Sequence, residues 1–270
     1  MAVKRSQAIL WSLVCAGAMA AAAVHAQEWN SCERFAGYSS GPYSVQTDEW
    51  GATSGQCLHV YSATRWTSTS RFSGKGVKAY PHTMLRLNNA DLDALRSVQT
   101  SFDFSAPRDA VYDFAYDLWT ANNQDEVMVW EKWKRSGPIA SRYGGIEYPA
   151  TACPIATQVK IGDGYYDVFQ GSNGRNNVIS FLRTAQRSRG TEDVLAFMDW
   201  CARRGKLHQT RFSLADFGVE ITSTRGRQDF TLNSFSASVV SNPDLAKGNV
   251  AAEVQLHAMR RILRWLDRGA

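Results

Sequence analysis

Three stretches of this chain carry carboxylates in company that a solvated strand rarely keeps. Residues 125–133 read DEVMVWEKW, and alternation along an extended strand puts Glu126, Met128 and Trp130 on one face with Val127 and Val129 on the other. In VYDFAYDLW, residues 111–119, Tyr112, Phe114, Tyr116 and Leu118 share a face opposite Asp113, Ala115 and Asp117. In DFGVEITST, residues 216–224, Phe217, Val219 and Ile221 oppose Asp216, Gly218, Glu220 and Thr222. Each strand has an apolar face for a core and a mixed face bearing acids. Two carboxylates across a cleft can hydrolyse a glycosidic bond: one attacks the anomeric carbon or activates water, and the other protonates the departing oxygen. The protonating acid must hold its proton near neutral pH, which burial favours. Indoles beside the acids offer flat faces to sugar rings. A hairpin through TANNQ would set Asp117 and Glu126 on adjacent strands of one face. One such acid alone reads as a solvated sheet position, but Met128, Trp130 and Gly218 are poor choices for a bare solvent face.

The elements that must position these acids read as short alternating strands. Turn signals such as SSGP, SGKG, APRD, GDG, SNGRNN and TRGR separate them. The pattern predicts an all-β sandwich of packed antiparallel sheets. One segment departs from it. TEDVLAFMDWCARRG sets Val194, Leu195, Met198 and Cys201 at helical spacing, with Thr191 as its cap and Gly205 as its end. It is expected to pack on the outside of a sheet. A second amphipathic pattern, NVAAEVQLHAMRRILRWLDRG, predicts a C-terminal helical extension over 241–270.

The N-terminus carries Lys4 and Arg5, then an apolar run, then Val24-His25-Ala26. These are the parts of a secretory signal peptide over 1–26, cleaved after Ala26. The protein is therefore expected outside the cytoplasm, extracellular or periplasmic. No later stretch is long and apolar enough to span a bilayer, so no stable membrane insertion is expected after cleavage. Losing Lys4 and Arg5 takes the formal charge from +5 to +3. That mild balance, without Lys/Arg runs in the body, gives no case for nucleic acid. Cys32, Cys57, Cys153 and Cys201 remain, and an even count in an oxidising compartment implies disulfides. Four cysteines allow three pairings, of which Cys32–Cys57 with Cys153–Cys201 is favoured. No C-x-x-C spacing occurs and no metal site is expected. His59, His82 and His208 are scattered and read as sheet or surface residues.

With these residues in view, the chain resembles glycoside hydrolase family 12. The resemblance runs over about 32–240 and is carried by QTDEWG, VKAYPH, AYDLWTA, EVMVWEKW with SGPIA, NVISF, FGVEITS and LNSFSASV, in the family's order. It implies a β-jelly-roll of two curved antiparallel sheets with one helix on the convex face, and so a catalytic domain over 27–240. Carried over residue by residue, Glu126 matches the nucleophile, Glu220 the general acid/base and Asp117 the carboxylate that hydrogen-bonds the nucleophile. Trp50 matches an aromatic platform on the glycone side, Met128 and Trp130 line the cleft, and Pro138 lies in a loop crossing one end of it. Cys32 and Cys57 sit where the family has an N-terminal disulfide. Two departures stand out: Thr47-Asp48 replaces the frequent Asn-Asn, and ITSTRGRQDF is more polar and basic than the usual turn.

The implied reaction is endo-hydrolysis of a β-1,4-glucan with retention, by a monomer needing no metal or organic cofactor. Retention requires carboxyls about 5–5.5 Å apart. Xyloglucan is the expected polymer, with unbranched cellulose or mixed-linkage β-glucan as the alternative. A silent carbohydrate-binding or host-interaction protein on the same sandwich is the rival reading. Loss of a carboxylate would mark it, and both Glu126 and Glu220 are present.

Overall fold

The computed structural model describes residues 26–144 and 151–242. The expected signal segment, Ala26 apart, and the expected helical tail from residue 243 lie outside them. The first strands are β1 (Trp29–Ser31), β2 (Gly37–Ser40), β3 (Tyr43–Gln46), β4 (Gln56–Ser62), β5 (Arg65–Ser70) and β6 (His82–Asp91). Then come β7 (Leu95–Ser105), β8 (Ala110–Thr120), β9 (Asp125–Lys134), β10 (Tyr143–Gly144), β11 (Thr151–Ala152) and β12 (Ala156–Ile161). The chain continues through β13 (Gly164–Ser172), β14 (Asn177–Arg183), β15 (Arg189–Asp193), helix α1 (Val194–Ala202), β16 (Arg211–Thr224) and β17 (Gln228–Ser241).

Two large sheets pack face to face as a jelly roll. Six strands form one, in the order β1-β4-β5-β17-β7-β15, and nine form the other, in the order β12-β13-β14-β9-β8-β16-β6-β3-β2. Pairing is antiparallel except between β14 and β9, which run parallel. The predicted hairpin joins β8 to β9. Its turn is possible because Asn122 and Asn123 accept positive φ, which Asn tolerates better than most residues.

The main core lies between the sheets and is aromatic. Phe104 of β7 stacks on Phe114 of β8 at 3.9 Å between centroids, and Phe102 meets Phe217 of β16 at 4.9 Å. The helix extends this layer beyond β15. Phe197 meets Tyr166 and Phe181 edge-on at 5.1 and 5.2 Å, covering β13 and β14 from the core side. It starts later than predicted, at Val194 rather than after a Thr191 cap. The reason is the β7 ladder, which takes Arg189–Asp193 as a strand, with Thr191 opposite Ser101. The chain past the helix bends through Gly205 at φ +59, as its sequence position predicts.

A buried ion network holds β15 against the core edge. Glu131, with no solvent exposure, accepts from Arg187 Nε at 2.8 Å. Arg187 also contacts Glu192, and Arg183 Nη1 donates to Glu192 at 2.9 Å and to the Tyr166 hydroxyl at 2.7 Å.

Cys32 and Cys57 form a disulfide. The expected Cys153–Cys201 bridge is absent, and both thiols are free. The sheet itself separates them. Cys201 is buried in the main core, whereas Ala152, next to Cys153, packs with Met128 and Trp130 on the other face of the nine-stranded sheet.

The ion network gives a stability test. Arg187→Met leaves Glu131 buried without its partner, and unfolding in denaturant at neutral pH is expected to lose about 3–5 kcal/mol. Adding Glu131→Leu to that variant should recover most of the loss.

Candidate active site

Strands β9, β8 and β16 are neighbours, and their outward face forms the floor of the site. On β9, Val127 and Val129 enter the main core while Met128 and Trp130 pack in a separate cluster with Ala115, Phe169, Val178 and Leu182. Alternation therefore assigns the faces correctly. Glu126 stands opposite Trp119, Met128 opposite Asp117, and Trp130 opposite Ala115. On the other side of β8, Asp216 pairs with Asp117, Gly218 with Ala115, and Glu220 with Asp113. The register thus leaves two small residues, Ala115 and Gly218, at the centre of a floor lined by carboxyl groups with Met128 and Trp130 beside them. Gly218 is required there, because a Cβ would lie 2.3 Å from the Pro81 carbonyl oxygen.

A bulge enlarges this face. The β8–β9 register slips between Phe114 and Ala115, so that Trp133 comes opposite Asp113. Trp133 then meets Trp130 edge-on at 6.0 Å, and two indoles occupy the cleft side of one strand.

Burial and mutual repulsion set the electrostatics. Glu126 is pushed up to about 8, first by burial and then by the Glu220 charge. Burial also raises Glu220, to about 7, with Asp48 adding to the rise and a hydrogen bond from Asp113 opposing it. Asp117 lies well above the usual carboxylate range through burial and the nearby charge of Glu126. Asp113 and Asp216 are held high in the same way, by burial joined by the charges of Glu220 and Asp48 respectively. Such a group titrates as a unit, and each charge admitted makes the next harder to form. Glu126 has an N–H donor to favour its charge: Asn173 Nδ2 reaches Oε2 at 3.3 Å. Asn173 is held by its own turn, where its Oδ1 accepts from the backbone N–H of Arg175 and Asn176 at 2.9 and 2.8 Å.

Of the residues predicted to line the cleft, Met128 and Trp130 lie nearly buried in the floor, while Trp50 projects with 45% of its surface exposed. Its loop is pinned from behind. Arg34 donates to the Glu49 and Trp50 carbonyls at 3.0 and 3.2 Å, and Gln56 donates to the Thr47 carbonyl at 2.8 Å. The Cys32–Cys57 disulfide ties the same region together. Pro138 lies on a segment that crosses β13, where Gly171 admits it: a Cβ there would meet Ile139 at 2.8 Å. Asp125 and Glu131 are occupied elsewhere, with His208 and with Arg187. His82 is buried, which lowers it to about 4, so it faces Asp216 at 4.0 Å as a neutral ring. Sequence reasoning placed Asp113 and Asp216 on this face but assigned them no part, and it treated Asn173 only as part of a turn. Among the described residues no group of three or more His, Cys, Asp or Glu is arranged to hold a metal ion.

These shifts carry a pH consequence. A carboxyl raised on folding contributes stability that is full below its unfolded value and lost as pH rises through its folded value. Glu126 rises from 4.5 to about 8, Glu220 from 4.5 to about 7 and Asp48 from 3.8 to about 6. The melting temperature is therefore expected to fall steadily between about pH 5 and 8. Glu126→Gln removes one of these groups and should flatten the decline, melting above the parent at the alkaline end.

Glycosyl hydrolase family 12 matches residues 41–240. A xyloglucan-specific endo-beta-1,4-glucanase A of Emericella nidulans is 26% identical over 239 residues, covering 82% of this chain and 95% of that protein. An inactive glycoside hydrolase of Phytophthora nicotianae is also 26% identical, covering 77% of this chain and 91% of its own. Among solved structures, the xyloglucanase domain of NopAA, a type three effector from Sinorhizobium fredii in complex with cellobiose, superposes with a TM-score of 0.74 at 28% identity. That match covers 80% of this chain and all of the other. A family match over that span, on the same sandwich fold, makes this chain a member of glycosyl hydrolase family 12.

Proposed function

We propose that the protein is a secreted, retaining endo-β-1,4-glucanase acting on xyloglucan or a related plant β-glucan. One observation carries the reading. Glu126 and Glu220 share one sheet face on the strands flanking β8, with the small pair Ala115 and Gly218 between them. Glu126 and Glu220 share one proton as a coupled pair. In the reacting form it sits on Glu220, so that Glu126, its charge favoured by Asn173, attacks the anomeric carbon with Asp117 assisting while Glu220 protonates the departing oxygen. Glu220, then a carboxylate, takes a proton from the water that releases the sugar. The exposed indole of Trp50 stacks on a ring at one end of the cleft, Met128 and Trp130 form the floor, and the Pro138 segment bounds the other end. No metal or organic cofactor takes part in these steps.

Xyloglucan is favoured over unbranched glucan because relatives in a fungus and in oomycetes are xyloglucan-specific endoglucanases. The basic, apolar and small-residue order of the N-terminus supports secretion. One relative is inactive, but this chain keeps both acids. The test is reducing-sugar release from xyloglucan and carboxymethylcellulose. Glu126→Gln and Glu220→Gln should each lose about a thousand-fold or more in kcat. NMR of the first products should show the β-anomer. Full activity in either variant, or α-product at first turnover, rejects the assignment. Binding of the polymers without turnover by the parent would favour the silent reading.

A further inference from the structure

Asp113 faces Glu220 directly across the β8–β16 ladder. Side chains paired this way on one sheet face stand within contact reach, with Cβ atoms about 4.5–5.5 Å apart. Asp113 has no solvent exposure. Its Oδ2 accepts from Ser136 Oγ at 2.8 Å, whereas its Oδ1 is buried without a hydrogen-bond donor. A bare carboxylate oxygen in that position is costly. A proton on Asp113, donated to Glu220, would satisfy both groups, and their pairing across the ladder brings the two carboxyls within reach of one another.

We propose that Asp113 is a positioning residue for the acid/base proton: as a neutral acid it donates a hydrogen bond to Glu220 and stabilises the carboxylate that Glu220 becomes. This rests on the reading of Glu220 as the general acid. When the glycosidic bond breaks, its electron pair stays on the departing oxygen, which takes the proton of Glu220. A Glu126 oxygen forms the new bond to the anomeric carbon. The charge left on Glu220 then meets Asp113. A protonated Asp113 answers that charge with a donor. An ionised Asp113 would instead accept from the Glu220 hydroxyl and hold its proton back, since releasing it would leave two adjacent buried anions. The competent form of the pair therefore carries two protons, and the alkaline limb of activity reports the loss of the first. Sharing the remaining proton stabilises the singly ionised pair, so this loss comes at lower pH than for Glu220 beside a neutral amide. The other titratable groups around the pair are Asp117 on β8, Glu126 on β9, Asp216 on β16, Asp48 on the platform loop, and Tyr80 and His82 at the entry to β6. They are common to the parent and the variants below.

The experiment is the pH profile of kcat/KM on xyloglucan for Asp113→Asn and Ser136→Ala, with melting curves as a check on folding. Asp113→Asn should move the alkaline limb upward by about half to one pH unit. Ser136→Ala removes a donor that favours ionised Asp113, so its limb should move the same way by less. If Asp113→Asn does not fold, Ser136→Ala decides alone. A limb that stays in place or moves down in the folded variants overturns the role of Asp113 while leaving the glycosidase reading intact. A parent without glucanase activity overturns both.

Discussion

Carboxyl groups on one sheet face repel each other unless they share protons, and this cleft sets Asp113, Asp117, Glu126, Asp216 and Glu220 on three adjacent strands. Asp113, Asp117, Glu126 and Asp216 are buried, and Glu220 is half-buried. Across the ladder, Asp113 meets Glu220 and Asp117 meets Asp216, the arrangement that sheets ordinarily avoid for like charges. Such a floor can fold only if most of these acids are neutral, and neutral acids are also what general-acid chemistry draws upon.

The rest of the sandwich holds that strained floor in place. Strands β8 and β16 turn an aromatic face inward, where Phe114 and Phe217 meet Phe102 and Phe104 of the opposite sheet, and β9 adds Val127 and Val129. Burying a large apolar side chain contributes about 1.5–3 kcal/mol, so this face offsets the cost of several unsatisfied carboxyl oxygens on the other. Strand β8 carries both loads along its length, and nearly every side chain on it is buried. Stability is built on one face of the strand and spent in part on the other, as expected where a site is positioned by rigid elements rather than loops.

Alternation was enough to assign the faces of these strands because the period-two rule acts locally. Glu126, Asp117 and Glu220 were legible from the valines, tyrosines and phenylalanines beside them. Features set by distant pairing were not. Strand β5 reads RWTSTS, and it buries Trp66, Ser68 and Ser70 on one side; serine carries no apolar signal, so alternation does not mark this strand. Thr191 looks like a helix cap until the β7 ladder claims it. Cysteine count alone could not reveal that a sheet stands between Cys153 and Cys201. Asn173 reaches Glu126 across 47 residues from within a turn, and its SNGRNN context signals only the turn.

The acids of this chain divide by the partners they keep. Asp125 accepts from Thr120, Asn177 and His208, and Glu131 accepts from Arg187. Glu192 is met by both Arg183 and Arg187. Asp125 and Glu131 are buried and answered by donors, which is how a structural charge is kept inside a protein, while burial and the neighbouring Glu131 charge push Glu192 up to about 8 despite its two arginines. The cleft acids are equally buried but poorly answered: Asp113, Asp117 and Asp216 each keep an oxygen without a donor. Burial alone does not separate the two sets. The missing donors at Asp113, Asp117 and Asp216 do, because burial without donors holds those three acids neutral and leaves the charge of the cleft to Glu126 and Glu220 beside them.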